Sequence, residues 1–267
     1  MKRSHSLSFF MLLAGMFVAT ALQARPQAAA PADYLAKQAA WEKHAALVAA
    51  SPYAGLQWRS IGPTVQGGRL VDMAVVPGQP YTFYAAYASG GLWKTTNNGH
   101  TFVPLFDQQP SMIMGAIAVD PNRPETVWVG TGENNSSRSS YGGMGVYRSA
   151  DGGQNWTHMG LGDSDRIGHI LIDPNDSDTI YVAALGKLYT PGGQRGVFRS
   201  TDGGKNWRQV LAGGEWTGMI DLVFKPGDTK TLYAAAWERK RRPWDFSEGG
   251  NGSAIYKSVD GGDNWSK

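Results

Sequence analysis

Short apolar stretches recur along residues 64–267, and a polar turn follows each of them. Within one period of about 50 residues the chain shows four such stretches, for example MGAIAVDP, TVWVGTGE, GVYRS and NWTHMGL. Runs of β-branched and aromatic residues bounded by Gly, Asp and Pro are typical of strands, and four short strands per period are typical of a β-propeller blade. The pattern predicts an all-β propeller segment of about four blades, at residues 64–107, 112–161, 166–211 and 217–267, the last one incomplete.

The turn between the third and fourth strands of each period repeats closely. The pattern S-x-D-x-G-x-x-W occurs three times after a weaker copy that begins at Thr95, and successive copies start 54, 51 and 58 residues apart. Ser and Asp side chains bond nearby backbone amides, glycine permits a positive φ, and Trp buries a large ring. We expect a structural role for all twelve residues: Ser149, Asp151, Gly153, Trp156, Ser200, Asp202, Gly204, Trp207, Ser258, Asp260, Gly262 and Trp265.

The N-terminal segment differs from the repeats. A basic start and an apolar run that ends in small residues near Ala24 predict a secretory signal peptide over residues 1–24, and hence an exported chain, periplasmic or extracellular. The alternative is an uncleaved membrane anchor, which usually needs about 20 apolar residues. Once the signal is removed, we expect no membrane span.

An Ala-rich leader follows at residues 25–55. Residues 33–50 are rich in good helix formers and predict a short helix that packs on the domain or acts as a spacer. Its apolar side chains are expected to form one stripe: Leu35, Ala39, Leu47 and Val48.

Composition narrows the possible functions. The chain has 267 residues and no cysteine, which excludes disulfide frameworks and thiolate zinc sites. The formal charge is +3, and it falls to +1 when Lys2 and Arg3 leave with the signal peptide, so the charge does not indicate a nucleic-acid partner. Phosphate-loop, dinucleotide and zinc-protease motifs are missing from the sequence, and the five histidines are scattered. We therefore expect no cofactor and no metal.

Candidate binding residues lie in loops that a propeller presents on the side opposite the repeated turns. Aromatic residues beside cations suit stacking on sugar rings or holding an acidic glycan or peptide, and the alternative is a solvated charged loop. Glu133 and Asp165 are candidates for acid–base chemistry, and Arg69 and Arg166 occupy equivalent first-strand entries facing the central channel. The candidate ligand-binding residues are Glu133, Asn134, Arg138, Trp216, Trp237, Arg239, Arg241 and Trp244.

The repeated turn resembles the Asp-box (BNR) repeat of sialidases, xyloglucan hydrolases and sortilin-type sorting receptors. The segments WRSIGP, QGGRL, ASGGLWKTTNNG, VGTGENN and YAAAWERKRRPW further resemble a group of exported bacterial proteins described as sortilin-N-terminal-like or "glycosyl hydrolase". The resemblance implies a propeller that serves as a binding or interaction module for glycan or peptide. The alternative it implies is a glycoside hydrolase of β-glucan or xyloglucan type whose catalytic partners lie partly outside this chain.

Two departures from the resembling enzymes bear on activity. The general-base Asp of the xyloglucan hydrolases aligns with Ala88, which accepts no proton. The F-R-I-P motif of sialidases is absent, and the segment Trp58–Pro63 resembles it only loosely. Both departures favour a binding role. Four blades leave an open strand edge, so we expect further blades and a larger, six- to ten-bladed propeller; the alternative is a latch strand supplied by residues 56–60.

Overall fold

The computed structural model of the chain describes residues 32–56 and 68–267. The predicted signal peptide and residues 57–60 of the alternative latch strand lie outside these ranges. A helix, α1 (Ala32–Ala49), precedes the strands. The strands are β1 (Leu70–Val75), β2 (Phe83–Tyr87), β3 (Gly91–Thr95), β4 (Val103–Pro104), β5 (Met114–Val119), β6 (Val127–Thr131), β7 (Val146–Ser149), β8 (Thr157–His158), β9 (Ile167–Asp173), β10 (Asp176–Ala184), β11 (Gly196–Ser200), β12 (Arg208–Ala212), β13 (Thr217–Lys225), β14 (Asp228–Glu238), β15 (Lys240–Arg241), β16 (Phe246–Ser247) and β17 (Ala254–Ser258).

The strands form successive antiparallel sheets in chain order, so the predicted all-β propeller fold is confirmed. Blades 1, 2 and 3 are the four-stranded sheets β1–β4, β5–β8 and β9–β12. Blade 4 has the order β13-β14-β17, and an isolated bridge between Lys257 and Ser266 takes the place of its outer strand. The hairpin β15–β16 is an insertion in the loop between β14 and β17. The first strands of neighbouring blades pack against one another, which places them around a common axis.

The hydrophobic core consists of three clusters, each lying between two successive blades. Equivalent third-strand residues Leu92, Val146 and Val197 are completely buried, each against the following blade. Their equivalence follows from the register, since they pair with Ala86, Gly130 and Ala183 respectively. A blade therefore buries its apolar faces only by packing against its neighbours.

The first strands approach so closely that one position requires glycine. A Cβ atom on Gly115 would lie 2.3 Å from the carbonyl oxygens of both Gly132 and Ile167. Gly115 is the extra residue of a bulge in β5, and blades 1, 3 and 4 show register shifts at the same place. Bulges bend and twist a strand, and here the bend recurs in every blade.

The three predicted Asp-box turns have the same hydrogen bonds, shown here for blade 2. The Ser149 hydroxyl donates to Asp151 Oδ1 (2.7 Å) and accepts from the amide of Gly153 (2.8 Å). The same Asp151 oxygen accepts the amide of Asn155 (2.9 Å), and Gly152 and Gly153 have φ of 71° and 98°. The Ser and Asp side chains thus replace the strand bonds that the turn amides lose.

The turn of each blade also contacts the preceding blade. Trp156 Nε1 donates to the carbonyl oxygen of Leu105 (3.0 Å), and Trp207 Nε1 does the same to Met159 (2.6 Å). In the opposite direction, the Tyr84 hydroxyl donates to the carbonyl oxygen of Gly152 (3.1 Å). The turn is therefore both a hairpin and a joint between blades.

The weaker copy, which begins at Thr95 in blade 1, forms the same turn with Thr and Asn in place of Ser and Asp. The hydroxyl of Thr95 accepts the amide of Gly99 (2.9 Å), and Asn97 Oδ1 accepts the amide of Thr101 (3.0 Å). Asn98 has a φ of 56° at the position that glycine occupies in the other copies.

Helix α1 contacts blade 2 through Tyr34. Its hydroxyl bonds His158 Nδ1 (2.9 Å) and the two rings stack at 4.9 Å. Since His158 Nε2 lies 2.7 Å from the carbonyl oxygen of Met144, which only accepts, Nε2 carries the proton and Nδ1 accepts from Tyr34. The predicted helix is present, but its predicted apolar stripe is not buried, because Leu35, Ala39, Leu47 and Val48 are exposed.

The substitution Trp156→Ala tests the joint. The ring packs against the cluster between blades 1 and 2 and donates two hydrogen bonds, so we expect the free energy of unfolding in urea to fall by about 3 kcal/mol. Trp244→Ala is the matched control: its ring is 79% exposed, and the expected change is within about 0.5 kcal/mol. Equal losses in the two variants would contradict the joint.

The turn carboxylates predict a loss of stability in acid. Hydrogen bonds from the Asn155 amide, the Ser149 hydroxyl and the Asn155 side chain lower the pKa of Asp151 from 3.8 to about 2. A pKa lowered by folding contributes stability above the ordinary pKa, and this stability is lost as the pH falls through about 2. We expect Asp151→Asn to unfold more easily than wild type at neutral pH, and the difference to shrink below about pH 4. Glu215→Gln, at an exposed side chain, serves as control; urea unfolding at several pH values measures both.

Candidate functional site

The loops opposite the Asp-box turns connect the second strand to the third, or one blade to the next. We call this surface the loop side. A long loop, residues 132–145, follows β6 in blade 2, and it reaches across to blades 3 and 4. Asn134 lies half-buried in this loop, where its side-chain amide donates to the carbonyl oxygen of Gly115 (2.8 Å).

Side chains from blades 3 and 4 hold this loop through its backbone carbonyls. Arg239 Nη1 donates to Asn134 O (2.6 Å) and Asn135 O (2.9 Å). Arg241 Nη1 donates to Ser136 O (3.1 Å). These side-chain to backbone bonds connect blades 2 and 4 on the loop side.

Two further residues complete these contacts. The Tyr189 hydroxyl donates to Arg138 O (3.1 Å), and Arg166 Nη2 donates to Ser140 O (2.9 Å). The Arg138 side chain itself is exposed. The tip of the loop therefore has a fixed backbone and presents a free cation to solvent.

Arg239 is almost completely buried. Burial, with added repulsion from Arg166 and Arg195, lowers its pKa to about 9. The guanidinium remains protonated at neutral pH, and it lies over the ring of Trp237 with its centre 5.0 Å from the ring centroid. Arg239 thus holds the loop and the Trp237 ring from inside the protein.

Glu133 is also buried, in an ion pair with Arg69. Arg69 Nε and Nη2 each lie 2.7 Å from Glu133 Oε1, and Asn135 Nδ2 donates to the same oxygen (3.2 Å). Oε2 is buried, with no hydrogen-bond partner among the described residues. The carboxylate therefore neutralises a cation at the blade 1 to blade 2 boundary and faces no solvent.

Asp165 is partly buried and contacts the loop that carries Glu133. Its carboxylate forms an ion pair with Arg166, and its backbone oxygen accepts the amide of Gly143 (2.6 Å). The Arg166 guanidinium stacks on Tyr189 at 5.6 Å. The structure thus brings together Glu133, Asp165 and Arg166, and it engages both carboxylates with arginines.

The predicted aromatic residues lie near one another in the loops of blade 4. Trp216 is half-buried with Lys240 Nζ 5.2 Å from its centroid, and Trp237 Nε1 donates to Glu248 O (3.1 Å). Trp244, in the β15–β16 hairpin, is the most exposed of the three. Arg241 in the same hairpin stacks on the ring of Phe246 at 4.7 Å. The loop side of blade 4 thus carries several aromatic rings, three of which each have a cation close to the ring.

Sequence reasoning missed Tyr189 and Arg195. Arg195 is buried, and its guanidinium donates to four carbonyl oxygens of its own loop, including Leu185 O (2.7 Å). Both residues lie in the loop after β10, where no repeat aligns them with another blade. A search for aromatic and basic residues in every second-to-third strand loop would have selected them.

Ala88, where the resembling xyloglucan hydrolases have their general base, is buried at the end of β2. Its amide donates to Arg69 O (2.9 Å). In residues 32–56 and 68–267, no three His, Asp or Glu side chains group closely enough to hold a metal ion. In the same ranges, no helix combines the length and apolar character that crossing a membrane needs.

Comparison with known proteins supports the fold. The family model described as Sortilin-Vps10 (sortilin, neurotensin receptor 3) matches residues 144–267. The crystal structure of an ancestral GH74 enzyme superposes with a TM-score of 0.58 at 22% identity, over 79% of this chain and 25% of that one. This likeness concerns the fold.

Curated relatives include xyloglucanases. A xyloglucanase of Paenibacillus sp is 21% identical over 255 residues, which is 82% of this chain and 23% of the relative. A xyloglucanase of Hypocrea jecorina (strain QM6a) is 28% identical over 189 residues, which is 67% of this chain and 19% of the relative. The chain thus spans about a fifth to a quarter of the length of these relatives. The chain is a β-propeller with Asp-box turns; its residues 144–267 are similar to the Sortilin-Vps10 family, and xyloglucanases are among its distant relatives.

Proposed function

We propose that the loop side of this propeller binds a glycan. The observation that carries the proposal is the set of aromatic rings on the loop side of blade 4, each close to a cation or open to solvent. Trp216, Trp237 and Phe246 are each paired with a cationic side chain, at 5.2, 5.0 and 4.7 Å respectively, and Trp244 is exposed. Aromatic faces bind the C–H faces of sugar rings, and neighbouring polar groups bind the hydroxyls.

The loop of residues 132–145 in blade 2, whose carbonyl oxygens accept from Arg239 and Arg241, supports this surface. Because Arg239 Nη1 and Arg241 Nη1 donate to carbonyl oxygens of this loop, and Arg239 is almost completely buried, we assign both arginines to holding the loop. The exposed cation of Arg138 stays available at the loop tip. We therefore assign ligand contact to Trp244, Trp237 and Arg138, and positioning to Arg239 and Arg241.

Glycan is favoured over the other partners on chemical grounds. A charge near neutrality gives little attraction for nucleic acid, and two of the curated relatives are named xyloglucanases. Export, which the N-terminal segment predicts, would bring the loop side into contact with polysaccharides. An acidic peptide is the alternative ligand for the same surface.

A glycoside hydrolase is the second candidate, and the names of the relatives favour it. Hydrolysis needs two carboxyl groups on either side of the scissile bond. The candidates here, Glu133 and Asp165, are both engaged by arginines, and Glu133 is closed to solvent. A hydrolytic site would therefore need residues outside this chain, so binding is the better-supported function.

Calorimetry with a xyloglucan oligosaccharide tests the proposal. We expect wild-type protein to bind and Trp244→Ala to bind about tenfold more weakly, because a stacking face is lost without loss of fold. Tyr81→Ala is the matched control, since this exposed ring lies in the β1–β2 turn, on the Asp-box side.

Each outcome has a defined meaning. Equal affinity in wild type and Trp244→Ala would overturn the assignment of the surface. Binding of an acidic peptide in place of the oligosaccharide would support the peptide alternative. Release of reducing sugar by wild type, abolished in Glu133→Gln, would replace binding by hydrolysis as the function.

A further inference from the structure

Loops from blades 2, 3 and 4 meet at one place on the loop side. The Arg241 amide, in the β15–β16 hairpin, donates to Leu188 O (3.1 Å), and its side chain donates to Ser136 O (3.1 Å). The hydroxyl of Tyr189, the residue after Leu188, donates to Arg138 O (3.1 Å). We call this place the loop junction and define it by residues 132–145, 163–166, 185–196 and 237–248.

The loop junction has more cations than its carboxylates can pair. Each carboxylate that blades 2 and 3 contribute has a cationic partner, and the pairs are Glu133–Arg69, Asp163–Lys187 and Asp165–Arg166. In blade 4, Glu238 Oε2 accepts the amide of Gly252 (2.8 Å), Asp245 Oδ1 accepts the amide of Phe246 (2.8 Å), and Glu248 is exposed. The cations left without a carboxylate partner among the described residues are Arg138, Arg195, Arg239, Lys240, Arg241 and Arg242.

Two of these cations are fixed inside the protein. Arg195 and Arg239 are almost completely buried, and their guanidinium groups bond backbone carbonyl oxygens, which carry no net charge. Burial, with added repulsion from Arg166, lowers the pKa of Arg195 to about 10, so both groups stay protonated at neutral pH. Buried charges are poorly screened, so the two guanidinium groups make the surface of the loop junction positive. Because both are closed to solvent, a carboxylate from another part of the protein has no access to them.

Arg138 is the donor that the loop junction presents to solvent. Its side chain is exposed, and its backbone oxygen is held by Tyr189. Its blade packs between blades 1 and 3, so described residues surround the loop on both sides. Arg239, which lies over the Trp237 ring, bonds the same loop, so the exposed cation and the aromatic rings belong to one surface. A guanidinium group matches a carboxylate with two parallel hydrogen bonds.

We propose that the glycan bound on the loop side is acidic, and that a sugar carboxylate pairs with Arg138 while neighbouring sugar rings stack on Trp237 and Trp244. The inference rests on the glycan binding proposed above and adds the charge of the ligand. Uronic acids are the sugar class that joins a planar carboxylate to a ring with C–H faces. An acidic peptide offers the same charge, but it lacks the sugar faces that the exposed aromatic rings would cover.

Calorimetry with an oligogalacturonide and with its methyl ester, which is the same oligosaccharide without the charges, tests the inference. We expect wild type to bind the acidic probe at least about tenfold more tightly than the ester, and this ratio to shrink as salt is added. Arg138→Gln should weaken binding of the acidic probe about tenfold and bring the ratio close to one, because the forked donor is lost. Lys205→Gln is the matched control: it removes one exposed positive charge in the Asp-box turn of blade 3, on the opposite side, so the ratio should be retained.

The outcomes separate this inference from the function on which it rests. Equal affinity of wild type for the acidic probe and its ester would overturn the acidic ligand and leave glycan binding intact. A ratio that stays high in Arg138→Gln would overturn the pairing with Arg138. Tighter binding of a polyglutamate peptide than of the oligogalacturonide would assign the loop junction to acidic peptides. Failure to bind either probe or the xyloglucan oligosaccharide would contradict glycan binding itself. Thermal unfolding of each variant verifies that it is folded.

Discussion

The structure depends on the Asp-box turn, in which side chains of the turn bond its amides and one backbone carbonyl oxygen remains available to the preceding blade. Ser149 and Asp151 bond the turn amides, and the positive φ of Gly152 directs its carbonyl oxygen toward the preceding blade. There it accepts from Tyr84 and Lys94. A buried carbonyl needs a donor, so the local turn and the packing of two blades stabilise each other. The same coupling occurs between blades 3 and 4, where Gly261 O accepts from Tyr181 and Arg199.

The Asp-box side and the loop side are stabilised in different ways. On the Asp-box side, short turns carry their own hydrogen bonds. On the loop side, the long loop of blade 2 depends on side chains from other blades, above all Arg239 and Arg241. Burial of Arg239 lowers its pKa to about 9, yet the charge is retained because carbonyl dipoles surround it. On the loop side, side chains from other blades thus hold the backbone, while the residues at the loop tips, such as Arg138 and Trp244, are exposed.

Much of the fold was readable from sequence because it is local and repeated. Strand spacing and the S-x-D-x-G-x-x-W turns predicted the propeller, and the fourth, weaker turn at Thr95 forms as its pattern indicated. The leader helix contacts blade 2 through Tyr34, whereas the apolar side chains expected to share one stripe, such as Leu47, are exposed. A helix pattern shows which residues share a face, but it does not show whether another surface meets that face.

The sequence by itself determined the type of blade, the turns that shape it, and the loops in which binding residues gather. Only the tertiary structure decided which of those residues face solvent. Glu133 and Arg239 look like surface groups in the sequence, yet both are buried. Glu133 is bonded by Arg69, 64 positions away, and Arg239 bonds the carbonyl oxygen of Asn134, 105 positions away. Trp244 remains exposed. Residues so far apart in the chain come into contact only when the blades pack around a common axis. The repeat in the sequence does not show which of them will do so.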